Sequence, residues 1–149
     1  MAPADRAAAQ FGRFVRDRSD RELRALMEGW RRRPLLWAIF RSAPRRLDRE
    51  AVGEERALIE IRVRDEHRGR PDRRQLLIAR GRCRVSRHGL GEPDTVVGFD
   101  PVSFLRFVAG QASARELFLS GALSVDGSLL VAAELPSFFR FPEPDPDPG

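Results

Sequence analysis

The segment Asp100–Leu135, DPVSFLRFVAGQASARELFLSGALSVDGSLLVAAEL, decides the reading of the fold. Asp100-Pro101 sets an N-cap acceptor before a proline whose missing N–H costs nothing in a first turn, so a helix begins at Pro101. Phe104, Leu105 and Val108 give it an apolar face as far as Ala109, and Gly110 ends it. Ser113 caps a short helix to about Leu119, and Gly121 releases the chain into a strand at Ala122–Asp126. Ser128 then caps a last, almost wholly apolar helix, Leu129–Leu135, expected to stop near Pro136.

Upstream of this segment the period changes from helical to two. From Ala57 to Arg64, Ile59, Ile61 and Val63 alternate with Glu60, Arg62 and Arg64, the pattern of a half-buried strand with its charges in solvent. A polar loop at Asp65–Asp72 leads to a second strand at about Arg73–Ala79. Arg80-Gly81 is a tight turn into a third strand at Arg82–Arg87, where Cys83 and Val85 point inward. Leu76 and Ile78 face the same way, although the adjacent Leu77 blurs the parity. A Gly-rich loop, His88–Asp94, precedes a short fourth strand at Thr95–Phe99.

Further out, Ser19-Asp20-Arg21-Glu22 is a capping box opening a helix to about Arg32, with Leu23, Leu26, Met27 and Trp30 at helical spacing. A second helix starts near Pro34 and stops at Pro44, its apolar face made by Leu36, Trp37, Ile39 and Phe40. Residues 1–18 read as an N-terminal extension, 19–140 as one domain, and 141–149, where proline alternates with acid, as a disordered or extended tail.

In its order and spacing, the segment Asp100–Leu135 resembles the C-terminal signature of the sterol carrier protein 2 family. The frame is a helix ending at Gly110, Phe118 two residues before the Ser120-Gly121 bend, the Leu123–Val125 strand, Gly127 and an apolar last helix. The strands of residues 57–87 extend the likeness to roughly residues 20–140. The chain departs from that pattern at Ala122, where the family often has a basic residue, and at Gly127-Ser128, where it often has Gly-Asp or Gly-Asn. The resemblance implies an α+β domain, with a mostly antiparallel five-stranded sheet and helices packed on one face enclosing an apolar tunnel. It implies a soluble carrier of a sterol, fatty acid, acyl-CoA or phospholipid, with no catalytic residues and no cofactor. Domains of this family also occur fused to enzymes, so a non-catalytic accessory module binding a partner enzyme is the alternative.

A carrier needs a continuous apolar wall. The residues that would supply it are Ile59, Ile61, Val63, Leu76, Ile78, Cys83, Val85, Phe104, Val108, Phe118, Leu129 and Ala133. Periodicity alone favours a solid core made of these residues; the hollow follows from the resemblance. An empty cavity of about 300 Å³ would cost roughly 7 kcal/mol, comparable to a domain's whole stability, so lipid or partial collapse of the last helix is expected to fill it. On the opposite strand face, Arg62, Arg64, Arg82 and Arg84, with Arg31–Arg33 and Arg45-Arg46, offer contacts for an anionic membrane surface.

Composition narrows the alternatives. All 27 basic residues are arginine; residues 1–99 hold 24 of them against 15 acids, and residues 100–149 hold 3 against 7. A sequence pI near 11.1 invites a nucleic-acid reading, but Arg62–Arg87 contains no aromatic residue for base stacking, so no nucleic-acid partner is expected. His67 and His88 lie in polar loops without metal-motif spacing or a nearby serine elbow, and Glu54-Glu55 and Asp65-Glu66 read as surface. Glu134, the one polar residue in the last helix, faces solvent or a ligand headgroup. No stretch has the length of a membrane span or the apolar core of a secretory signal. The single cysteine, Cys83, rules out an intrachain disulfide and reads as a small buried hydrophobe. A cytoplasmic setting is the expectation.

Overall fold

A computed structural model of the chain describes residues 3–142; the acidic tail expected at 141–149 lies outside them from residue 143 onward. The elements run α1 (Pro3–Arg16), α2 (Asp20–Glu28), α3 (Arg32–Ser42), a 3₁₀ turn at Ala43–Arg46, α4 (Arg49–Val52), β1 (Ala57–Val63), β2 (Asp72–Ala79), β3 (Arg82–Ser86), β4 (Thr95–Phe99), α5 (Pro101–Val108), α6 (Ala114–Ser120), β5 (Leu123–Gly127) and α7 (Leu129–Phe138). This is the expected α+β architecture.

The five strands form one sheet in the order β3-β2-β1-β4-β5. Three pairings are antiparallel, and β1 pairs β4 in parallel, Ile59 beside Thr95 and Val63 beside Phe99. The parallel step follows from chain path: the loop after β3 crosses the sheet and brings β4 in on the far side of β1. At the β2–β3 hairpin, Arg80 and Gly81 both have positive φ, 53° and 70°, the backbone of a two-residue turn that matches strand twist. Gly127 is fixed by a close approach, because a Cβ there would come within 2.7 Å of the Asp94 carbonyl oxygen.

Register sorts the side chains. Ile59, Leu76 and Val85 share the inner face, as do Ala57, Ile78 and Cys83, with Val97, Phe99 and Leu123 continuing it across β4 and β5. Leu77 therefore points outward, half-buried. Helices cover the inner face. The Phe99 ring lies 5.3 Å from Phe104 and 5.2 Å from Phe107 of α5, and Phe104 stacks 5.6 Å from Phe40 of α3, seating both helices on the sheet.

Arg32, at the start of α3, is buried and ties that helix to the sheet. Its Nε donates to Asp72 Oδ2 at 2.8 Å and its Nη2 to the Val63 carbonyl at 2.9 Å, with Asp65 Oδ2 3.6 Å away.

Two features depart from the sequence expectation. Residues 3–16 form a helix, docked by Arg106, whose guanidinium donates to the carbonyls of Val15 and Arg18, and by Gln111, which donates to the Gly12 carbonyl at 2.7 Å. Glu60, read as a solvent charge, is 3% exposed. The Gly-rich loop folds over it: Gln75 donates to the Glu60 carboxylate and to the Gly91 carbonyl and accepts from Leu90 N–H, which pins the loop on the outer face. Burial pushes the Glu60 carboxyl up, but the hydrogen bonds from Gln75 and Arg62 and the charges of Arg62 and Arg73 outweigh it and hold the group below its ordinary value.

Candidate functional site

The site begins with a packing failure at the β5 edge of the inner face. Helix α7 starts as the sequence demands, with Ser128 Oγ accepting from Val131 N–H at 3.2 Å. It does not stop at Pro136 but runs through it to Phe138, because Leu135 and Phe138 are buried and anchor its second half. Its first half has no such partner. Leu129 is 64% exposed and Leu130 70%, while Val131 and Ala132 are only half-buried. A helix apolar on all sides is expected to be buried on all sides. Here the space beside its first two turns is empty.

That space is a cavity of about 840 Å³ between α6, β5 and α7. Its floor is Val97, Leu123 and Val125 of the sheet; Leu129, Ala132, Ala133 and Leu135 of α7 make one wall, and Phe107, Phe118 and Phe141 the aromatic one. Phe141, placed in the tail by the sequence reading, packs 4.9 Å from Phe107 and so closes an end of the cavity. Phe118 is 49% exposed and Leu119 beside it 73%, so the cavity opens to solvent through an apolar mouth. Polar groups are confined to its α6 side. Gln111 is engaged by Arg106 and Gly12, and Ser113 caps α6, which leaves Arg115 and Glu116 exposed on the lining.

Because the cavity opens to solvent it is not a dry void: without a ligand its apolar floor and walls are wetted, at about 25 cal/mol per Å² of apolar surface left uncovered. The volume falls within the ~300–1,000 Å³ typical of pockets for small organic ligands.

The residues singled out in the sequence divide into three groups. Phe118, Leu129 and Ala133 line the large cavity. Ile61, Leu76, Phe104 and Val108 line a separate pocket of about 70 Å³ between α3, α5 and the sheet, which Phe107, Leu135 and Phe141 part from the large cavity by lining both. Ile59, Val63 and Ile78 are fully buried in packed core, and Cys83 and Val85 are half-buried against that core on the far edge strand. Burial pushes the Cys83 thiol up to about 12, so it stays protonated. Missed were Val97, Leu123 and Val125 of the sheet, together with Phe107, Ala132, Leu135 and Phe141. The first three face inward by plain alternation, and the signal for them was the β4–β5 pairing, which a sequence does not print.

Arg62, Arg82 and Arg84 are exposed on the outer face, and Arg64 follows them just past β1. Arg62 is drawn to Glu60 at 2.6 Å. Glu134 does not line the cavity; its carboxyl faces Glu55, and the hydrogen bond between the two, reinforced by partial burial and by the charge of Glu55, pushes Glu134 up. Among the described residues no group of acids, histidines and cysteine has the arrangement of a metal site, and no helix is long and apolar enough to cross a membrane.

Comparison with known proteins places this geometry. No curated protein matches the chain in sequence at a significant level. Among solved structures, the palmitated sterol carrier protein 2 like 2 of Aedes aegypti matches at 14% identity over 70% of this chain and 95% of that one, with a TM-score of 0.53. A protein from Thermus thermophilus described as possibly a sterol carrier matches at 18% identity over 68% and 83%, with a TM-score of 0.51. The sec-alkylsulfatase Pisa1 of Pseudomonas sp. matches at 15% identity and a TM-score of 0.58 over 70% of this chain, which corresponds to only 16% of that enzyme. At such identities these likenesses establish the shared fold. The family model described as the SCP-2 sterol transfer family matches residues 39–140, two-thirds of the sequence, and the chain belongs to that family.

Proposed function

We propose that this chain is a lipid-carrying domain that holds one apolar ligand, a fatty acid, acyl-CoA, phospholipid or sterol, in the cavity between α6, β5 and α7, and performs no chemistry on it. The observation that carries the reading is the unpacked first half of α7. Of the five consecutive apolar residues Leu129–Ala133 none is fully buried, and Leu129, Ala132 and Ala133 line a cavity wide enough for a lipid.

Each methylene removed from water is worth about 0.8 kcal/mol, so a 16-carbon chain offers on the order of 12 kcal/mol of gross driving force. The cost of ordering and immobilising the partners comes out of that sum. Arg115, exposed on the lining, is the group in reach of a ligand carboxylate or phosphate, and this placement replaces any basic contact at Ala122. The Aedes aegypti relative, solved in palmitated form, supports a fatty acyl ligand as the first to test.

Organic extraction and mass spectrometry of protein purified without detergent tests the proposal. A stoichiometric lipid, absent from an Ala132→Trp variant that fills the cavity, is the expected result. Protein that carries no lipid and takes up none from vesicles would overturn it.

A further inference from the structure

Behind one wall of the large cavity lies the pocket of about 70 Å³ between α3, α5 and the sheet, and three side chains, Phe107, Leu135 and Phe141, line both spaces. Two of the three are fixed by the core. Phe107 and Leu135 sit on helices, are 7% and 5% exposed, and belong to the packed cluster of buried residues. Phe141 is held differently. It lies three residues beyond the end of α7, half-buried, in a segment that is neither helix nor strand. The two ends of that segment set its place. At one, Phe139 bridges Leu47, and Arg140 N–H donates to the Arg46 carbonyl at 2.7 Å. At the other, Pro142 seats on two glycines: a Cβ on Gly12 of α1 would stand 3.3 Å from the Pro142 Cβ, and one on Gly110 would collide with the Pro142 carbonyl oxygen. Between these anchors the Phe141 ring rests against Phe107, 4.9 Å between centroids. A ring that only filled core would meet packed atoms all round. This one has unfilled space on both sides.

We propose that Phe141 is the length gauge of the carrier: its ring closes the large cavity off from the pocket behind it and so fixes the longest acyl chain the domain holds. The inference rests on the lipid-carrying reading and adds to it the residue that selects among ligands. With a head group at the solvent mouth beside Phe118 and Arg115, the methyl end of the chain runs toward the end that Phe141 closes. Each methylene that leaves water for an apolar wall improves affinity about fourfold. One that meets the Phe141 ring has no such wall to reach and gains nothing. The space behind the ring is apolar, with Ile39, Ile61 and Leu76 on its lining, and its ~70 Å³ takes about two water-sized groups such as methylenes. Removing the ring would add its own volume and join the two spaces, while Phe107 and Leu135 stay in place on their helices.

The test is a chain-length series. The delipidated full chain is titrated with saturated fatty acids, each below its aggregation limit, by displacement of a fluorescent fatty acid. In the wild type, affinity should rise about fourfold per methylene up to one length and then stop rising. In Phe141→Ala the stop should move to chains about two to four carbons longer, and in Phe141→Leu, which keeps part of the wall, by less. Melting temperatures show that both variants fold. Phe118→Ala, at the mouth, should weaken all lengths alike and leave the stop where it is. A stop at the same length in the wild type and both Phe141 variants, or a wild type whose affinity keeps rising with length, overturns the gauge and leaves the carrier reading standing. A wild type that binds none of the fatty acids overturns the gauge, and one that also ignores phospholipid and sterol overturns the carrier reading with it.

Discussion

Replacing Arg32 by methionine tests how α3 is held to the sheet. Methionine keeps the apolar stem and removes the guanidinium, which is 5% exposed and donates to Asp72, to the Val63 carbonyl and to the Met27 carbonyl. The loss has two parts. Asp65, whose side chain is 9% exposed, loses its nearer cation and keeps the Arg68 guanidinium at 3.9 Å and the His67 and Arg68 N–H groups on its other oxygen, and the Val63 carbonyl loses a charged donor in a site with little water. Removing one member of a buried ion pair costs about 3–5 kcal/mol, and because Asp72 is a quarter exposed and can rehydrate, the lower half of that range applies. With an unfolding entropy of ~2.1 cal/mol/K per residue, about 3–4 kcal/mol lowers the melting temperature by about 10–13 °C. Thermal and urea unfolding followed by circular dichroism measures it. Asp72→Asn in the Arg32→Met background should cost less than in the wild type, because the stranded carboxylate is then removed. A single-variant loss under about 1 kcal/mol would refute the role given to Arg32.

The remaining predictions concern titratable groups. Because Glu134 is raised by its contact with Glu55, the pair stabilises the fold when protonated, and that stability is lost as pH rises through the folded value. Glu134→Gln should therefore raise the melting temperature at pH 7 and flatten its fall between acid and neutral pH, read from melting curves across that range. Cys83, raised to about 12, should react with iodoacetamide at pH 8 about a thousandfold more slowly in the native chain than in urea, by the ratio of thiolate fractions. Equal rates would mean an open β3 edge.

How far the sequence carried the fold is clearest at its successes and failures. The caps at Ser19, Asp100, Ser113 and Ser128 all function as read, because capping is local and each acceptor serves a donor three residues on. Glu60 was read as solvated because alternation sorts residues onto two faces but cannot see a loop laid across one of them. The N-terminal helix escaped notice because its docking depends on Arg106 and Gln111, some 90 residues away in the sequence. The cavity wall divided in the same manner. Phe118, Leu129 and Ala133 belong to the segment that carries the family signature, whereas the strand residues Ile59, Val63 and Ile78 fill solid core, since periodicity marks an inward face and not what stands opposite it. Pro136 was read as a stop, but Leu135 and Phe138 are buried deeply enough to carry α7 past it.

The most direct test of the lipid-carrying account is the melting temperature of the delipidated chain and of Ala132→Trp as a 16-carbon fatty acid is added below its aggregation limit. A ligand at about 100 times its Kd adds ~2.7 kcal/mol, which at ~2–4 °C per kcal/mol shifts the wild type upward by about 5–11 °C. The account predicts that shift, saturating at one equivalent and abolished in Ala132→Trp, whose own melting temperature shows it folded. A wild type that ignores fatty acid, acyl-CoA, phospholipid and sterol alike, or an equal shift in the filled variant, would contradict it.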